Sequence, residues 1–127
     1  MTASRKMAGM ARDDRGATAV EFALVLPAFI LMILGGMATA TLGFAASSLH
    51  FAVEDAARCA AVKTTVCTNA AATQTYAAAR YQGPAISPVF TATTAGCGHT
   101  VSATGVFSVN VIPQLLNVPL SATACYP

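Results

Sequence analysis

Few residues in this chain are suited to chemistry. Its cysteines are Cys59, Cys67, Cys97 and Cys125, its histidines are His50 and His99, and its carboxylates after Asp14 are Glu21, Glu54 and Asp55. A cysteine beside a histidine can form a nucleophile, and Cys97-x-His99 is a spacing a metal can use. Neither pattern is completed, because the chain has no CxxC pair, no HExxH and no glycine-rich phosphate loop. With the constellations of an active site missing, we expect no catalytic residue, no metal site, no cofactor and no small-molecule substrate. The chain reads as a non-enzyme. A net charge of +2, with no basic face beyond the first fifteen residues, also argues against nucleic acid as a partner.

Glu21 stands apart from the other carboxylates. It lies at the start of an apolar run, and no charged residue follows it until His50. A carboxylate at the centre of a membrane helix costs about 2.5–3.5 kcal/mol on insertion scales, and less near an end. Such a group needs either the headgroup region or a partner.

The elements that must position these residues follow from composition. Hydrophobic residues make up 55% of the chain and charged residues 9%, against roughly 25% charged in an ordinary soluble domain. Apolar character runs from Ala17 to Leu49. A membrane helix needs about 20 such residues, so this helix is long enough to cross and project beyond. The flank before it carries Arg5, Lys6, Arg12 and Arg15 against Asp13 and Asp14. Positive charge on the short side predicts a cytoplasmic N-terminus, which puts the C-terminal part outside. All four cysteines lie in that part, and their even number favours disulfides in an oxidising compartment. An ordinary secretory signal is the rival reading, with Ala38-Thr39-Ala40 imitating its cleavage site, but its apolar core spans only about 7–15 residues.

Beyond the anchor, Glu54 and Asp55 share a helical face with Arg58 and can pair with it. Thr64-Thr65-Val66 is poor helix material, so the helix should end there. A second helix fits Asn69 to Tyr81, capped by Thr68 or Asn69 and stopped by Gly83-Pro84. Strands are predicted over 89–93, over 100–109 with Gly105 a candidate bulge, and over 120–125. An antiparallel meander connects them most simply. The fold class is therefore α+β: a long N-terminal transmembrane helix, then a small disulfide-stapled domain with a short helix and a three-stranded antiparallel sheet. Four cysteines allow three connectivities. On a straight helix Cys59 and Cys67 would lie about 12 Å apart, too far to bridge. A turn near Thr64-Thr65 brings them together, and the meander brings Cys97 near Cys125.

Gly16-Ala17-Thr18-Ala19-Val20-Glu21-Phe22, preceded by Arg15 and followed by the apolar helix, resembles the processing site of type IV prepilins. More narrowly, Asp14 to Pro27 resembles the TadE-like pilins of tight-adherence pili, in which a Gly, four small or apolar residues, a Glu and an aromatic residue succeed one another. Val53-Glu54-Asp55-Ala56-Ala57-Arg58 resembles the stretch after the anchor in that family, and Ser121 to Pro127 resembles its usual ending. The resemblance implies a minor pilin or pseudopilin that assembles or primes a pilus. It implies cleavage between Gly16 and Ala17 by a prepilin peptidase, and assembly through Glu21 and Phe22. The implied partners are other pilin subunits, the pilus assembly machinery and the inner (cytoplasmic) membrane. The implied division is a basic leader over 1–16, a transmembrane and assembly helix over 17–49, a helix extension over 50–66 and an exported domain over 67–127. The alternative is a generic single-span membrane protein whose exported domain binds a partner or surface.

Overall fold

The structure, a computed structural model, describes residues 14–111 and 114–127. Its elements are α1 (Asp14–Val62), α2 (Ala70–Arg80), β1 (Val89–Ala95), β2 (Gly98–Val111) and β3 (Gln114–Tyr126). By internal contacts the chain divides into two units, one ending at Met37 and the other running from Ala38 to Pro127.

In the first unit α1 continues unbroken through Pro27. Proline removes one amide hydrogen and frees the carbonyl four residues back, yet helices with apolar surroundings tolerate this. Val20, Phe22, Leu24, Val25, Phe29, Leu31 and Met32 are all exposed. From Thr18 onward α1 is long and apolar enough to cross a membrane, and an apolar surface of this kind is stable against lipid.

The second unit is built on one face of α1. Ala45, Leu49, Ala52, Val53, Ala56, Ala57 and Ala60 are buried, and they recur every three or four residues, as one helical stripe requires. Small side chains on this stripe let the sheet approach closely. The three strands form an antiparallel meander in the order β1-β2-β3. Their register places Phe90, Ala103 and Ala122 in one row and Ala92, Val101 and Ala124 in the next. Those rows meet the helical stripe in a single core with Ala77 and Ile86. The opposite face of the sheet carries hydroxyls, among them Thr123 donating to Ser102 Oγ at 3.1 Å.

α2 starts where an N-cap predicts. The Asn69 side chain accepts the Ala72 amide at 2.9 Å, satisfying one of the helix's orphan donors. The helix ends at Arg80, and the Gln82 amide donates to Ser48 Oγ of α1 at 2.9 Å. Between the helices, Val66 and Cys67 donate their amides to the Lys63 carbonyl, closing a turn. That turn brings Cys59 and Cys67 to 5.9 Å between Cα atoms, and they are bonded. Cys97 and Cys125 are bonded at 6.4 Å. Both separations lie within the usual disulfide range.

Two features differ from the expectations of the sequence. Gly105 is not a bulge: it pairs in unbroken register with Leu120. It is a point of close approach instead. A Cβ at Gly105 would stand 2.8 Å from Ile86 Cδ1 and 3.3 Å from the Ile86 carbonyl oxygen, and the Val106 amide donates to that same carbonyl at 3.4 Å. A glycine in a strand signals either situation. Gly105→Ala should therefore lower the stability of the second unit by about 1–3 kcal/mol, the usual cost of overpacking, read as a shifted urea midpoint by circular dichroism. The second difference is that β3 begins at Gln114, six residues before the predicted Leu120. Its Pro119 pairs with Val106 at the sheet edge, where a missing amide hydrogen breaks no ladder bond.

Candidate functional site

The segment Gly16 to Phe22 lies at the start of α1. Glu21 and Phe22 are exposed, Phe22 to 66%. Nothing lies near the space a Cβ would take at Gly16. Position 21 follows position 17 by one helical turn, the spacing at which groups on a helix meet. In the uncleaved chain residue 17 offers a peptide nitrogen and no charged amine. Among the described residues Glu21 makes no ion pair, and it stands at the head of the apolar run that continues to Leu49. Gly16 is helical here, so any protease that reads it in extended form must first unwind the opening turn. Glycine lowers the cost of unwinding because it favours the helix less than alanine does, by about 1 kcal/mol.

The other chemistry-bearing residues are placed elsewhere. Cys97 is bonded to Cys125, so it offers no thiolate to a metal beside His99. Among the described residues no three His, Cys, Asp or Glu side chains gather as metal ligands. The carboxylates of α1 do not pair with Arg58 along their own helix. Asp55 reaches across to α2 instead: its Oδ2 lies 3.0 Å from Arg80 Nε and accepts the Tyr76 hydroxyl at 2.9 Å. Arg80 Nη2 in turn donates to the Tyr76 hydroxyl oxygen at 2.8 Å, and its guanidinium carbon lies 4.9 Å from the ring centroid. The hydrogen bond to Tyr76, with the Asp55 carboxylate beside it, holds the Arg80 guanidinium above its ordinary pKa. This cluster fastens α2 to α1. The sequence held half of its signal, since Tyr76 and Arg80 are four apart on one helix, but their meeting with Asp55 is a tertiary contact.

The wall of the core near α2 is completed by Tyr81. Its hydroxyl donates to the Pro84 carbonyl at 2.7 Å, and burial pushes its phenol pKa up. None of these groups faces a cleft that assembles an acid, a base and a nucleophile. The second unit is a disulfide-stapled packing of helix and sheet, and the first carries one exposed carboxylate, Glu21, near the start of an apolar run.

No curated protein and no solved structure matches the chain. The family model described as TadE-like protein matches residues 16–58. The match opens on Gly16 and takes in Glu21, Phe22, the whole apolar run and the Val53–Arg58 stretch. The Ser121–Pro127 ending lies outside it. Over residues 16–58, about a third of its length, the chain is similar to the TadE-like protein family.

Proposed function

We propose that this protein is a minor pilin or pseudopilin of a tight-adherence pilus, and that a prepilin peptidase cuts it between Gly16 and Ala17. The observation that carries this reading is the family match beginning at Gly16, together with an exposed carboxylate five positions later at the head of an apolar run. Cleavage would convert the amide of residue 17 into a charged amine. In a filament of apolar helices that amine and the Glu21 carboxylate of a neighbouring subunit would need each other, because a single charge buried there is costly and a pair is tolerable. Processing and assembly thereby become one event.

The proposed division is a cytoplasmic leader over 1–16, a helix over 17–49 that crosses the inner membrane, an extension over 50–66 and an exported domain over 67–127. Within the extension α1 itself ends at Val62. Two disulfides suit an oxidising compartment. The role is structural: prepilin peptidase acts on the chain, and other pilin subunits and the assembly machinery hold it.

N-terminal sequencing tests the cut. Protein from a host with its prepilin peptidase should begin at Ala17, and protein from a peptidase-deficient host should keep the leader. An intact leader in both hosts would favour a plain membrane anchor, and a soluble fragment beginning near residue 40 would favour a secreted module.

A further inference from the structure

The two disulfides sit in opposite surroundings. Cys59 is 1% exposed and Cys67 6%, with Tyr76 packed over them. Cys97 and Cys125 are both exposed. Cys97 occupies the tight turn between β1 and β2, flanked by Gly96 and Gly98 at positive φ. Cys125 lies near the end of β3, opposite Thr100. The Thr100 hydroxyl donates to Cys125 Sγ at 3.3 Å, and Cys97 Sγ lies 3.6 Å from the same oxygen.

We propose that Cys97–Cys125 is a thiol-exchange site, opened by a dithiol while the fold stays intact, with Thr100 assisting the departing sulfur. A donor thiolate attacks Cys97 Sγ, which the turn presents to solvent. A bond forms between the donor sulfur and Cys97 Sγ, the bond to Cys125 Sγ breaks, and the electron pair leaves on Cys125 as a thiolate. The Thr100 O–H already points at that sulfur and stabilises the charge, and a better-stabilised leaving thiolate departs faster. The donor's second thiolate then attacks the donor's own sulfur in the mixed disulfide and releases Cys97. The donor is oxidised by two electrons to a cyclic disulfide, and Cys97 and Cys125 take up two electrons and two protons.

The sheet does not depend on this bond for its pairing. β2 and β3 remain in register from His99–Tyr126 to Val111–Gln114, so opening the bond frees the turn and the end of β3 only. Cys59–Cys67 cannot be reached in the same way, because a thiolate must first displace the core residues over it. The inference goes beyond the pilus role and does not depend on it.

The test uses the full chain in detergent micelles, dithiothreitol as the dithiol, timed alkylation and peptide mass mapping. Cys97 and Cys125 should become labelled about tenfold faster than Cys59 and Cys67, or more, with the far-ultraviolet circular dichroism unchanged. Thr100→Val should slow the opening roughly threefold, since the leaving sulfur loses its donor, and Thr100→Ser should restore the rate. Equal or faster labelling of Cys59 and Cys67 would overturn the proposal, as would equal opening rates for Thr100→Val and the unaltered chain.

Discussion

Glu21→Ala should still be cut after Gly16, yet its recovery with other pilus components should fall by roughly a hundredfold or more. The size comes from what remains after the substitution. Removing one member of a buried ion pair costs about 3–5 kcal/mol, because the other charge stays buried and alone. In the proposed assembly that orphan is the Ala17 amine of the neighbouring subunit. The peptidase, by contrast, works at Gly16, and Glu21 lies more than a helical turn further along. Glu21→Gln sharpens the test. It keeps the shape and removes the charge, so a defect equal to that of alanine assigns the effect to charge. The measurement is co-purification with pilus components, alongside N-terminal sequencing of each variant. Unchanged co-purification of both variants would remove the pairing from the mechanism.

The residues proposed for that site stand out in the sequence because they are local. A glycine, a carboxylate and an aromatic residue at fixed spacing ahead of an apolar run can be read without a fold. The proposed partner is absent from the uncleaved chain, where residue 17 carries a peptide nitrogen and not a charged amine. The unit from Ala38 to Pro127 divides along the same line. Helix ends, the Asn69 cap and the strand alternation are local signals, and apart from the early start of β3 the elements stand close to where those signals put them. Gly105 was ambiguous, and the strand start ahead of Pro119 was missed, because both depend on neighbours distant in sequence. Gly105 lies under Ile86, and Pro119 takes an edge position that only the strand order defines. Asp55 is the same case: Arg58 was the nearest cation on its helix, but Arg80 arrives with Tyr76 from α2 and presents a denser set of donors.

The second large effect concerns the disulfides, whose two measures of importance point in opposite directions. Loop-closure entropy ranks them by the length of chain enclosed. With separations of 8 and 28 residues, it assigns about 2.5 kcal/mol to Cys59–Cys67 and about 3.6 kcal/mol to Cys97–Cys125. Burial reverses the order. Cys59→Ser with Cys67→Ser places two hydroxyls where the residues are 1% and 6% exposed, and each buried hydroxyl left without a partner costs about 1–3 kcal/mol. The total, about 4.5–8.5 kcal/mol, is comparable with the whole stability of a small domain, about 5–15 kcal/mol. Cys97→Ser with Cys125→Ser leaves both hydroxyls in water beside Thr100, so only the entropic part is lost. The buried pair should therefore be the one the second unit cannot lose. Its double variant should be digested through residues 50–127 by limited proteolysis in detergent, while the exposed-pair variant stays resistant with a lowered urea midpoint. Resistance of both variants would show that the helical stripe and the sheet suffice to hold the turn at Thr64-Thr65. Digestion of the exposed-pair variant alone would show that loop entropy outweighs burial.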